Sequence, residues 1–328
     1  MKAWIIERLD GIDKACITEV TDPIPATGEV LLRVAYAALN PADRYLAEGQ
    51  YPAKPPFPHI LGRDGSGVIV GHGPDVEDHP IGHKRAILRG DMGVSRWGTF
   101  AELVAVPVES LIEVPDGWSD EQAGSASLVY VTAFQALTQW EDLPAQSVVL
   151  VSGASGGVGV ASAQLGVAMG HTVIGLSRGS EKHATLKALG MALVLDPADP
   201  KWRKTLAEFL GNRRVDLAID SIGGTLFNQL IATLGDRGRI SVVGRLAGEV
   251  PQFNTATLFF RRLRIGGVAV GAYTNQESRH AWKESLSLLN KTGARPLIDH
   301  IFSFDQLPDA FARLAQGPMG KVLIRCAP

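Results

Sequence analysis

Val148-Val149-Leu150-Val151-Ser152-Gly153-Ala154-Ser155-Gly156-Gly157-Val158-Gly159 is the stretch on which the fold turns. Its first four residues are a continuous apolar run, the pattern of a strand buried on both faces. Glycines follow at once. The residues from Val158 to Met169 then suit a helix, with Gly170 as its C-terminal cap. A strand–turn–helix junction aims backbone N–H groups and the positive end of a helix dipole at an anion. Glycine there lets the backbone approach a pyrophosphate without a Cβ clash. The spacing is G-x-x-G-x-x-G, not the commoner G-x-G-x-x-G, so the surrounding elements must carry the reading. The plain alternative is a buried turn whose glycines only serve packing.

Working outward, the same alternation repeats. Thr172–Leu176, Ala192–Leu195, Val215–Ile219 and Arg239–Val243 read as further strands. Glu181–Leu189, Trp202–Leu210 and Thr225–Leu234 read as the helices between them, the first two followed by Gly190 and Gly211. Strands alternating with helices give an α/β fold, here a doubly wound parallel sheet. Four βα units behind the glycine turn favour dinucleotide binding over packing alone.

The end of the second strand selects the nucleotide. An acid there would accept from the ribose 2′-OH of NAD. The chain has Ser177-Arg178-Gly179-Ser180-Glu181-Lys182 instead. Arg178 and Lys182 both suit a 2′-phosphate, Arg through paired donors. NADPH is therefore the expected cofactor, although Glu181 adds local negative charge. Gly153-Ala154-Ser155-Gly156-Gly157 also fits the G-x-S-x-G elbow of α/β-hydrolases, with Asp220 and His280 or His300 following in chain order. That elbow leaves Arg178 and Lys182 without a purpose. Short-chain dehydrogenases share related glycines but place them near the N-terminus and use Y-x-x-x-K, which is absent downstream here.

Residues 1 to about 115 have another texture. Short β-like runs, Val30–Val34, Gly67–Val70 and Phe100–Val106, are closely punctuated by Gly and Pro, as in small β-barrels. Composition is ordinary for a globular protein, with 45% hydrophobic and 20% charged residues over 328 positions. A net charge of −2 argues against a dedicated nucleic-acid binder. Two cysteines, Cys16 and Cys326, make neither a disulfide framework nor a four-Cys zinc site. Met1–Glu7 lacks a signal-peptide apolar region, and no run of about 18 apolar residues occurs. The expectation is a cytoplasmic protein that binds neither membrane nor nucleic acid. His72, His79 and His83 form H-x6-H-x3-H, but Pro80 and Gly82 interrupt it, so a hydrophilic loop is expected.

The whole chain resembles the medium-chain dehydrogenase/reductase superfamily, specifically its zinc-free quinone oxidoreductase branch. The landmarks run in order: Asn40-Pro41-Ala42-Asp43, Leu61-Gly62-Arg63-Asp64-Gly65-Ser66-Gly67-Val68, Gly98-Thr99-Phe100-Ala101-Glu102, the glycine turn, Asp220-Ser221-Ile222-Gly223-Gly224 and Gly320-Lys321-Val322-Leu323-Ile324. The resemblance implies a GroES-like β-rich substrate domain over 1–120 and 265–328. It implies a Rossmann dinucleotide-binding domain over 121–264. It also implies a homodimer, because Arg264–Val270 lies where relatives often pair subunits.

Zinc-dependent relatives carry Cys where this chain has Pro41, and G-H-E where it has Gly62-Arg63-Asp64. No metal is expected. Zinc-free relatives reduce quinones, or C=C bonds conjugated to a carbonyl. The resemblance implies a small-molecule quinone or enone as substrate, with Asn40, Tyr45 and Tyr51 as hydrogen-bond donors to the developing oxyanion. It assigns cofactor contacts to Thr132, Ala154, Ser155, Gly156, Gly157, Val158, Ser177, Arg178, Lys182, Ser221, Gly244, Arg245 and Lys321. Some relatives bind NADPH without turnover, and a non-catalytic NADPH-binding protein stays open. The stretch Gly90–Trp97 is expected to be a loop, with Arg96 either exposed or suited to an anionic part of a substrate. Pro197 stands where close quinone reductases often have a Tyr near the adenosine phosphate, which softens the expected preference for NADPH.

Overall fold

The computed structural model describes residues 1–88, 91–249 and 254–326. Gly90, at the start of the Gly90–Trp97 stretch, lies outside them. The chain divides into two units: Met1–Leu128, Val270–His280 and the chain from Arg295 onward form one, and Val129–Ala269 with Ala281–Ala294 the other. The sequence placed boundaries at 120/121 and 264/265, whereas the first break in the structure falls at Leu128/Val129. The structure also groups 265–269 and the helical stretch 281–294 with the second unit.

The first unit begins with strands β1 (Lys2–Ile6), β2 (Cys16–Glu19) and β3 (Glu29–Ala38). Helix α1 (Pro41–Ala47) follows, then β4 (His59–Ile60), β5 (Asp64–His72), β6 (Lys84–Ile87), β7 (Leu103–Pro107) and β8 (Leu111–Glu113). The expected runs at 30–34 and 67–70 lie inside β3 and β5. The run at 100–106 is strand only from Leu103, where β7 pairs antiparallel with β3.

Helix α2 (Asp120–Thr138) leads into the alternation of the second unit. It comprises β9 (Val148–Ser152), α3 (Gly157–Ala168), β10 (Thr172–Leu176), α4 (His183–Ala188), β11 (Leu193–Leu195), α5 (Trp202–Leu210), β12 (Val215–Asp220), α6 (Gly224–Thr233), β13 (Leu234–Val242), α7 (Ala256–Arg261) and β14 (Arg264–Gly267). Every strand pair is parallel, in the order β11-β10-β9-β12-β13-β14. That is the doubly wound order, with its switch point between β9 and β12. Val148, Val149, Leu150 and Val151 are all fully buried, as the unbroken apolar run requires. On one face of the sheet, Val148 and Leu150 join a core with Trp202, Leu206, Phe227 and Leu230 from the covering helices.

Helix α8 (Asn275–Thr292) precedes β15 (Ile298–Ser303), α9 (Leu307–Ala315) and β16 (Lys321–Arg325). These last strands return to the first unit. β16 pairs parallel with β15 and antiparallel with β3, extending the sheet β15-β16-β3-β5-β6-β8. Its Val322 and Ile324 enter the core built by Val30, Leu32, Ile69 and Phe100. No described helix is long and apolar enough to cross a membrane.

Candidate functional site

In the second unit the glycine turn closes as its sequence demands. Gly153 takes φ +60, a conformation that glycine adopts without strain. A Cβ at Gly159 would collide with the Gly153 carbonyl and the Ala154 backbone, so only glycine lets α3 start so close to β9. Ala154 is buried and its N–H donates to the Leu176 carbonyl at 3.0 Å, tying the turn to β10. Ser155 is buried, while Gly156, Gly157 and Val158 stay partly open. The first helical bond runs from the Val160 N–H to the Gly156 carbonyl, at 2.8 Å. The preceding N–H groups of α3 therefore have no intrahelical partner.

Six of the other expected cofactor residues lie on the same edge of the sheet, while Thr132 and Lys321 lie elsewhere. Ser177, Arg178 and Lys182 follow β10, Ser221 follows β12, and Gly244 and Arg245 follow β13. All three strands are parallel to β9, so four segments share the carboxyl edge where ligands of such sheets bind. Gly153 lies against Ser221, and Gly244 packs on the Ser221 backbone. Ser221 donates its hydroxyl to the Ser152 carbonyl at 3.0 Å. Ser177 is buried, whereas Arg178 and Arg245 are exposed and Lys182 is half-buried. The Glu181 carboxylate folds back over Gly179, so an acid shares the turn with Arg178 and Lys182. Thr132 is buried within α2. These residues fit a dinucleotide: a turn without side chains, orphan N–H groups at a helix start, and cations beyond the second strand.

Asp220 does not serve a hydrolytic triad. Its carboxylate accepts from Ser152 Oγ at 2.6 Å and from the Ile222 and Gly223 N–H groups. It shapes the turn after β12.

The first unit builds a different kind of site. β3 ends at Ala38, and Asn40 caps α1, its N–H donating to Asp43 Oδ2 at 2.9 Å. β16 runs antiparallel to β3, and Asp64 at the start of β5 pairs with Ala38. Three strand ends thus meet beside α1. Lys321 donates to Asn40 Oδ1 at 2.6 Å, to the Leu39 carbonyl at 3.1 Å and to Asp64 Oδ2 at 3.1 Å. All three ammonium protons are committed inside this unit. Asp64 also accepts from Ser127 Oγ at 3.2 Å. Asn40 spends one amide proton on the Ala38 carbonyl, at 3.2 Å, and keeps the other.

Tyr51 lies in the loop after α1, half-buried against the core. Arg63 Nη1 donates to its phenol oxygen at 3.1 Å, and the guanidinium carbon stands 4.5 Å from the ring centroid. Arg63 also donates to the Ala42 carbonyl at 3.3 Å. Its Nε lies 3.4 Å from Asp43 Oδ1, an ion pair that makes no hydrogen bond. Burial pushes the Asp43 carboxyl up to about 6, against the opposing pull of Arg63. Tyr45 is half-buried on α1. Asn40, Tyr51 and Lys321 are thus brought into one network. Asp43, Arg63 and Asp64 belong to it too, and sequence reasoning gave them no functional part. Their signal was charge next to buried apolar runs, at Asn40–Asp43 and Leu61–Gly67. His59, buried on β4, is pushed down by burial.

Arg96 meets the buried Glu29 in an ion pair, which takes up the cation considered for an anionic substrate. His72 bonds the His79 carbonyl. Among the described residues no group of three or more His, Cys, Asp or Glu is placed to hold a metal.

Two family models match the chain: an alcohol dehydrogenase GroES-like domain over residues 26–116 and a zinc-binding dehydrogenase domain over 157–319. The chain belongs to the medium-chain dehydrogenase/reductase superfamily. The first unit is its GroES-like domain, and the parallel sheet its Rossmann domain. A quinone oxidoreductase of Pongo abelii is 24% identical, covering 94% of this chain and 92% of that one. An acryloyl-coenzyme A reductase of Sulfurisphaera tokodaii is 26% identical, covering 94% and 96%. Among solved structures, an NAD-dependent alcohol dehydrogenase superposes with a TM-score of 0.90 at 26% identity, covering 100% of both chains. A mycobacterial protein complexed with NADPH gives 0.88 at 25% identity, covering 99% and 100%. Pro41 and Arg63, the residues that the resemblance compares with zinc ligands, carry side chains that do not ligate a cation.

Proposed function

We propose that the protein is an NADPH-dependent reductase of quinones or of C=C bonds conjugated to a carbonyl. The observation that carries this reading is the donor set of the first unit. Beside Asn40, in the region that the resemblance compares with the zinc ligands of zinc-dependent relatives, this chain presents a phenol backed by a guanidinium. Such a site stabilises an oxyanion by hydrogen bonds. It gives no metal-like support to the alkoxide of an alcohol.

Bound NADPH supplies the hydride. The turn over Gly153–Gly159 holds its pyrophosphate against backbone N–H groups, and Arg178 with Lys182 takes the 2′-phosphate. Thr132, Ser221, Gly244 and Arg245 complete the cofactor contacts. Lys321 orients Asn40, whose remaining amide proton and the Tyr51 O–H face the acceptor oxygen. The same donor pair serves a quinone and an enone or enoyl-thioester, and the acryloyl-coenzyme A reductase among the relatives keeps the thioester in view. Arg264–Gly267 forms the free-standing edge of the parallel sheet, and pairing of two such edges is the proposed route to a dimer.

The test is NADPH oxidation measured side by side with quinones, alkenals and enoyl-thioesters. Turnover of at least one class is expected. Tight NADPH binding with no turnover across the three would leave a non-catalytic NADPH-binding protein.

A further inference from the structure

Tyr51 is held by a residue that neither its own loop nor α1 supplies. Arg63 stands immediately before β5, and its guanidinium both bonds the phenol oxygen and covers the ring. Its side chain is only 11% exposed, so the contact is shielded from water and from salt. The other cation of the cluster, Lys321, has its three protons committed elsewhere. The Tyr51 oxygen therefore accepts from Arg63, and no described residue accepts its proton. A phenol in that state is a donor whose conjugate base already has a cation bonded to it.

Resting on the reductase reading, we propose that Arg63 is the positioning residue that fixes the Tyr51 phenol and holds the charge left on it when Tyr51 gives its proton to the reduced acceptor. Hydride adds two electrons and one hydrogen to the acceptor and leaves the cofactor oxidised. The Tyr51 O–H bond breaks, and a new O–H bond forms on the quinol, or a C–H bond on the α-carbon of an enone. The electron pair stays on the phenolate, within the existing Arg63 hydrogen bond. A water molecule then returns a proton to Tyr51 and releases hydroxide to solvent. Asp43 and the Ala42 carbonyl keep the guanidinium from turning away. Arg and Lys are not equivalent here, because only a planar fork can stack on the ring and bond its oxygen at once.

The test is a double-mutant cycle on the full chain with NADPH and an accepted quinone or enone. Arg63→Gln and Tyr51→Phe should each lower kcat/KM about tenfold, less than the 10²–10³ of a fully enclosed oxyanion donor. NADPH binding should stay at the parent level. Arg63→Gln/Tyr51→Phe should be no worse than either single variant, because Arg63 acts through Tyr51. Arg63→Lys should recover part of the loss. Multiplied losses, or Arg63→Gln at the parent rate, would overturn the proposal.

A readout without turnover separates this proposal from the reductase reading. With 13C-labelled tyrosine, the Cζ resonance missing in Tyr51→Phe should shift in Arg63→Gln. An unmoved resonance refutes the Arg63–Tyr51 coupling even if quinones are reduced. A shifted resonance in a protein that reduces none of the three substrate classes refutes the reductase reading and the catalytic use of the pair with it. If Arg63→Gln leaves Asp43 unpaired and fails to fold, Asp43→Asn/Arg63→Gln removes both charges and answers the same question.

Discussion

The two units solve the placement of functional groups in opposite ways. In the second, the useful atoms are backbone N–H groups and absent side chains, set by a turn that occupies one short stretch. In the first, they are side chains whose partners come from distant parts of the chain. Lys321 bonds Asn40 across 281 residues of sequence. A turn that works through its backbone tolerates side-chain change best away from its glycines. A side-chain network suffers most when a buried charged member is removed, because its partner stays buried and unpaired.

The largest test of that contrast is Lys321→Met. It strands Asp64, which is 1% exposed, and should cost about 3–5 kcal/mol in urea unfolding. Lys321→Met/Asp64→Asn should recover much of that loss. Survival of the single variant at parent stability would mean the network is not a unit.

A smaller effect concerns Asp43. Its folded carboxyl is raised above the ordinary value of 3.8 to about 6. The folded state therefore binds this proton more tightly than the unfolded one. The contribution to stability is full below the ordinary value and is lost as pH rises through about 6. Asp43→Asn should gain relative stability on going from pH 4 to pH 7, on the order of 2 kcal/mol. Parallel pH profiles for the two proteins would refute this.

In the second unit the corresponding break is Gly159→Val. Overpacking at the Gly153 carbonyl should cost about 1–3 kcal/mol. It should also abolish NADPH binding in a fluorescence titration, while nearby surface changes do neither. Smaller still is the choice of nucleotide. NADPH should bind at least about tenfold tighter than NADH, about 1.4 kcal/mol. Arg178→Ala should erase most of that difference, and Glu181→Gln should widen it. Equal affinities in the parent would remove Arg178 and Lys182 from the site.

This contrast also explains what the sequence disclosed. The unbroken apolar run at Val148–Val151 and the glycines after it each have one physical reading, and Thr172–Leu176 and Trp202–Leu210 fall where their periodicity put them. Asn40 and Tyr51 were reachable only through resemblance. Arg63 read as a residue that cannot bind zinc, because nothing local to Leu61–Val68 says that a phenol lies under it. Arg96 is exposed, as expected, but nothing in its own loop says that β3 brings Glu29 against it. The helical stretch 281–294 changed sides because amphipathic spacing states that a helix has a buried face, not which sheet it covers.

The Lys321 clasp has a consequence for the order of events during synthesis. All strands of the parallel sheet and the 281–294 stretch emerge before β16 does. The second unit can therefore close while the first still lacks a strand of its main sheet, the residues Val322 and Ile324 of its core, and the ammonium that neutralises Asp64. The part of the protein made first is the part that must wait, holding an unfinished apolar surface until the chain returns to cover it.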